Sequence, residues 1–162
     1  MREAAAQDRS VEAARSVSLP DEAATDRLGR ALAGLARVGD VIALWGDLGA
    51  GKTRLARAFI RALTGGEEEV PSPTFTLVQT YDAAIATIWH FDLYRLASPE
   101  EVLELGFEEA LSGGIVVIEW PGRLGGLLPR ERLDVRLRFV GTGAARHAEL
   151  QGHGRGWADR VG

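Results

Sequence analysis

The sequence predicts a three-layer α/β fold with a mostly parallel sheet and antiparallel additions, and three observations carry the prediction. Val41-Ile42-Ala43-Leu44-Trp45 is a short apolar run, of the kind found in strands buried on both faces. Three glycines follow within Gly46–Gly51, and then Leu55, Ala58, Phe59, Ala62 and Leu63 recur at helical spacing. Strand, glycine turn and helix in succession open a parallel unit. A second buried run, Ile115-Val116-Val117-Ile118, supplies a neighbouring strand.

The other elements follow in order. Residues 1–16 are rich in Ala, Glu and Arg without a sustained apolar period, and read as a flexible extension. Pro20-Asp21-Glu22 is a helix start, and Ala24, Leu28, Leu32 and Leu35 keep helical spacing up to the turn signal Gly39-Asp40. The helix after the glycine turn runs to Gly65-Gly66. Pro71-Ser72-Pro73 excludes helix interior. Phe75–Tyr81 alternates as a strand does, and Ile85–Phe91 is another, joined to it as an antiparallel hairpin through Asp82-Ala83-Ala84. Ser98-Pro99-Glu100-Glu101 starts one or two short helices that end near Gly113-Gly114. Leu133–Val140 alternates apolar residues with Arg and Asp, and Arg146–Leu150 pairs with it. The last stretch, 152–162, carries four glycines and offers no core to join. One domain is therefore expected over 17–150, between flexible segments 1–16 and 151–162.

Composition narrows the function. The chain's 162 residues fit one domain. Nineteen basic against 23 acidic residues give a net charge of −4, which argues against a broad non-specific grip on nucleic acid. The absence of cysteine excludes a disulfide framework and a thiolate zinc site. No apolar run approaches membrane-spanning length. Arg2, Glu3, Asp8 and Arg9 interrupt the opening residues, which lack the apolar core of a secretory signal. A cytoplasmic protein is expected. Among the nineteen basic residues one alone, Lys52, is lysine.

Lys52 lies in Gly46-Asp47-Leu48-Gly49-Ala50-Gly51-Lys52-Thr53, which fits G-x-x-x-x-G-K-[ST] with a strand before it and a helix after. The glycines let consecutive N–H groups turn inward onto phosphate oxygens, and the helix N-terminus adds partial positive charge. Lys52 is a mobile point charge for β- and γ-phosphates, a role that a planar guanidinium fills poorly. Thr53 offers a hydroxyl to a phosphate-bridging Mg2+. The fold is thus P-loop NTPase-like.

Such a site also wants a carboxylate at a neighbouring strand end. Asp92 and Glu119 both qualify, and pattern alone does not rank them. Ser72, Thr74 and Thr76 sit in the Pro-punctuated loop, where a hydroxyl could sense the γ-phosphate. His90 reads as a packed strand residue, and Trp45, Trp89 and Trp120 as core or rim aromatics. Arg95 pairs with acids, and Arg123, Arg130 and Arg132 read as a solvated face ahead of a partner patch.

The motif at 46–53, Ser-Pro-Thr-Phe-Thr-Leu-Val at 72–78, His-Phe-Asp-Leu-Tyr-Arg-Leu at 90–96 and Ile-Glu-Trp-Pro at 118–121 together resemble the TsaE family. These are bacterial P-loop ATPases of tRNA threonylcarbamoyladenosine biosynthesis, and the resemblance runs from about Val17 to Leu150. It implies a cytoplasmic ATP-hydrolysing component that works with TsaB and TsaD, which modify adenosine 37 of tRNA, and that meets tRNA only through them. By the same resemblance, ATP and Mg2+ are its ligands, Lys52 and Thr53 bind phosphate and magnesium, Glu119 is the magnesium-side acid and Asp92 a second functional acid. Thr74 falls in a switch-like loop, and Trp120 and Glu22 lie near the nucleotide. The departures are the extension before Val17, the tail after Leu150, and Gly122-Arg123 in place of a more polar or acidic continuation. Two rival readings use the same loop: a small kinase acting on a metabolite, and a nucleotide-gated scaffold without hydrolysis of its own. A GTPase is disfavoured, since its guanine-reading motif needs another lysine.

Overall fold

The computed structural model describes residues 12–66 and 69–161. Among them are the strands Glu12–Leu19 (β1), Val41–Trp45 (β2), Val78–Asp82 (β3), Thr87–Asp92 (β4), Ile115–Glu119 (β5), Arg132–Phe139 (β6) and Arg146–His153 (β7). They form one sheet in the order β1-β7-β6-β2-β5-β4-β3. The central strands β6, β2, β5 and β4 run parallel, while β7 with β1, and β3 at the other edge, are antiparallel additions. The α-helices are Glu22–Leu35 (α1), Lys52–Thr64 (α2), Phe107–Gly113 (α3) and Arg155–Val161 (α4), with 3-10 segments at Pro99–Leu105 and Pro121–Leu127. The predicted α/β class and its mixed sheet are both present.

The three layers follow from strand alternation. On β5, Ile115 and Val117 join a core with α1 and α2, while Val116 and Ile118 join a second core with Phe107 of α3. Residues two apart on a strand share a face, so a strand buried on both faces reads as one apolar run. At the start of α1, the Asp21 carboxylate accepts the Ala24 N–H at 2.9 Å, which caps the helix.

Four segments differ from the sequence reading. Residues 12–16, taken as part of a flexible extension, are the first half of β1 and pair with β7 from Glu12↔His153 onward; residues 1–11 of that extension lie outside the described residues. β1 is an edge strand in which, over residues 13–19, only Leu19 is buried, so it carries no apolar period. The strand expected from Phe75 begins at Val78, because the Leu77 N–H donates to the Pro73 carbonyl at 2.7 Å and Leu77 takes φ 68°. That closes a turn where a strand would stay extended, and leaves Phe75 81% exposed. At the far end of the hairpin, Ile85 likewise lies in the turn, and β4 starts at Thr87.

The tail is the largest difference. Residues 151–153 finish β7, and α4 then folds back to bury Trp157, Ala158 and Val161. A Cβ at Gly152 would lie 2.8 Å from the Ala158 nitrogen, so glycine is what lets α4 approach the sheet. Arg160 makes a bidentate pair with Asp40 at 2.7 and 2.8 Å and stacks on Trp157 at 3.8 Å. Trp157→Ala is expected to cost about 3–5 kcal/mol, a large share of the ~5–15 kcal/mol that holds a domain folded. A urea midpoint equal to that of the unaltered protein would contradict this packing.

Candidate functional site

Register brings the site together. Asp92 lies opposite Glu119, and Glu119 opposite Leu44, so both acids end their strands where the glycine loop leaves β2. Ligands of open α/β sheets gather at such carboxyl ends. His90 and Asp92 alternate with Trp89 and Phe91, which places both of them, like Glu119, on the α2 side.

The loop is shaped for close approach. Gly46 has φ 150°, and a Cβ there would lie 2.8 Å from the Leu137 carbonyl oxygen and 3.1 Å from the Ala50 Cβ. α2 starts after Gly51 in a left-handed conformation, φ 108°, with no side-chain cap. Its first-turn N–H groups, which a Ser or Asp would otherwise satisfy, are left for a ligand. The loop opens onto a cleft of about 470 Å³.

Lys52 is 5% exposed. Its ammonium donates to the Gly46 carbonyl and, at 3.1 Å, to the Asp47 carbonyl, and lies 3.9 Å over the Trp120 ring. Burial pushes its pKa below 10.5, against the opposing pull of the Glu119, Asp92 and Asp47 charges. Trp120 takes φ 59°, a left-handed strain for a bulky residue. The strained turn sets its ring under Lys52 and 5.0 Å from Tyr94.

Glu119 is 2% exposed. Its Oε1 accepts the Thr53 hydroxyl at 2.7 Å, and its Oε2 is 2.7 Å from His90 Nε2. Asp92 serves different partners. Its Oδ2 accepts the Thr74 hydroxyl at 3.1 Å and its Oδ1 the Tyr94 N–H at 3.1 Å, which ties the Pro-punctuated loop to the strand end. The geometry therefore separates two acids that pattern left equal: Glu119 meets Thr53, and Asp92 meets the loop.

Of the residues singled out from sequence, Glu22, Leu48, Gly49, Ala50, Gly51, Lys52, Thr53, Ser72, Thr74, Asp92, Arg95, Glu119 and Trp120 line the cleft. Gly46 and Asp47 do not line it and instead offer their carbonyls to Lys52. Glu22 is at the rim, paired with Arg54, which also forks onto Asp26 at 2.9 and 2.8 Å. Thr25, Arg54, Tyr94 and Arg146 line the cleft without having been singled out for it; Arg146 reaches the Gly49 carbonyl at 3.2 Å and stacks on Phe139 at 4.3 Å. The one local signal for Arg54 was the i, i+4 spacing of Glu22 and Asp26 on one helix face. Arg95 stacks on Phe75 at 4.7 Å. Arg132 forks onto the buried Asp134 at 2.8 and 3.1 Å, and so is not a solvated residue.

The donor set suits magnesium. A hydroxyl and a carboxylate, hard oxygen donors, already stand 2.7 Å apart beside the loop. Among the described residues no cluster of three or more His, Cys, Asp or Glu could hold a metal. Mg2+ commonly binds this way, through one or two protein oxygens with waters and phosphates completing its shell.

The family described as "Threonylcarbamoyl adenosine biosynthesis protein TsaE" matches residues 19–147. The chain belongs to the TsaE family. A "tRNA threonylcarbamoyladenosine biosynthesis protein TsaE" of Rickettsia conorii is 47% identical over 123 residues, 76% of this chain and 70% of that one. Its namesake in Bacillus subtilis is 37% identical over 75% of each chain. The crystal structure of Bacillus subtilis YdiB superposes with a TM-score of 0.72 at 26% identity, covering 88% of both chains. Membership places the chain in tRNA threonylcarbamoyladenosine biosynthesis. The TsaE match starts at Leu19, the last residue of β1, and stops within β7, so α4 lies beyond it. Among the described residues no helix is long and apolar enough to cross a membrane.

Proposed function

We propose that the chain binds ATP with Mg2+ and hydrolyses it slowly, in the cytoplasm, to support turnover of the complex that threonylcarbamoylates adenosine 37 of tRNA. TsaB and TsaD are its partners, and tRNA is met through them. One observation carries the reading: an uncapped helix N-terminus behind a glycine loop, with Lys52, Thr53 and Glu119 converging on it.

The loop amides and Lys52 grip the β- and γ-phosphates, and the low exposure of Lys52 strengthens that grip. Thr53 and Glu119 are the residues that would hold magnesium. The ion, when bound, neutralises charge on the phosphates. Asp92 and Thr74 hold the loop at the cleft mouth, where they orient water and register whether a γ-phosphate is present. Trp120 shields Lys52 from solvent on one side.

Phosphate release from Mg-ATP, measured with the purified chain alone and with TsaB and TsaD added, tests the reading. Slow release alone and faster release in the mixture are expected. No release in either case supports the scaffold, and phosphate transfer to a metabolite supports the kinase.

A further inference from the structure

We infer that His90 is a positioning residue: its Nε2–H holds the Glu119 carboxylate so that Oε1 stays on Thr53. This rests on the reading of Glu119 as the magnesium-side acid. His90 is fully buried in the middle of β4, with Nε2 2.7 Å from Glu119 Oε2. Its other ring nitrogen, Nδ1, has no hydrogen-bond partner among the described residues. A proton on Nδ1 would be a buried, unsatisfied donor, which is costly. The bonded proton therefore sits on Nε2, and the ring donates it to Oε2.

The consequence is geometric. A carboxylate can rotate about its last bond, but Glu119 is gripped at both oxygens, by His90 on Oε2 and by the Thr53 hydroxyl on Oε1. Packing alone does not call for an imidazole here. An aromatic ring without nitrogen would fill the site and avoid burying an unpartnered Nδ1. Groups that orient a metal-side ligand typically contribute about 10–100-fold to metal affinity or activity.

The test compares binding of a non-hydrolysable ATP analogue with Mg2+ and with EDTA, by calorimetry. His90→Phe should lose about 10–100-fold of the magnesium-dependent gain in affinity, with affinity in EDTA unchanged. His90→Gln, whose amide N–H reaches the Nε2 position, should restore most of it, whereas the shorter His90→Asn should not. In steady state the KM for Mg-ATP should rise by about the same factor, because slow turnover makes KM follow affinity. Full gain in His90→Phe, or equal behaviour of the Gln and Asn variants, would overturn the inference. If Glu119→Gln also keeps the full gain, the reading of Glu119 falls as well; if His90→Phe alone keeps it, the positioning role falls by itself. A measurement on the unaltered protein avoids any folding defect: ring-nitrogen NMR should show His90 as the Nε2–H tautomer, and an Nδ1–H tautomer would overturn the inference.

Discussion

Lys52→Met is expected to weaken Mg-ATP binding by at least about 100-fold, ~2.8 kcal/mol, without lowering the melting temperature of the nucleotide-free protein. Methionine keeps the stem's bulk and removes the charge that the phosphates need. Two opposite effects follow from one cause. Burial disfavours the charged ammonium and lowers its pKa, so in the empty protein the charge is a net cost to folding. That cost is present wherever Lys52 is protonated, and is relieved as pH rises from its lowered pKa towards 10.5. ATP affinity should fall over that same range, as the ammonium is lost. Calorimetry and thermal melts of both proteins check both halves, and unchanged affinity would remove Lys52 from the site.

Glu119→Gln should lower ATP turnover by about 100–1000-fold, ~2.7–4 kcal/mol of transition-state stabilisation. The fold should survive, because the amide satisfies both neighbours: its oxygen accepts from His90, and its NH2 donates to the Thr53 hydroxyl. What disappears is a buried negative charge beside the loop, the group that magnesium would sense. Binding of ATP in EDTA should change little, since the loop amides and the Lys52 contacts with the Gly46 and Asp47 carbonyls remain in place. Single-turnover phosphate release checks the rate, and a rate within a few-fold of the unaltered protein would assign the metal-side role elsewhere.

Legibility in the sequence divides along local and non-local lines. α1, β2, the glycine loop and α2 were readable because capping, periodicity and φ requirements act within a few residues. The late start of β3 was not. It depends on one carbonyl, that of Pro73, capturing the Leu77 N–H, while the side-chain alternation of 75–81 still reads as strand. The tail was opaque for another reason: Gly152 looks like a breaker, yet it is the gap through which Trp157 reaches the sheet. An edge strand such as β1, with little to bury, has no hydrophobic pattern to betray it.

The site shows the same division. The loop announces itself by spacing, because consecutive residues build it. Glu119 and Asp92 looked alike because each ends a strand, and only register decides which meets Thr53 and which meets Thr74. The sequence reads His90 as packing, and its burial agrees, but its bond crosses diagonally from β4 to β5. Nothing along the chain encodes that diagonal except the His-x-Asp spacing, which puts both side chains on one face.

Nucleoside mass spectrometry of tRNA from cells lacking this protein, complemented with either the unaltered chain or Lys52→Met, tests the central claim most directly. The unaltered chain should restore threonylcarbamoyladenosine, and the variant should leave it depleted while accumulating as a folded protein. Full restoration by Lys52→Met would contradict the account, since the modification would then not require the phosphate grip around which the site is built.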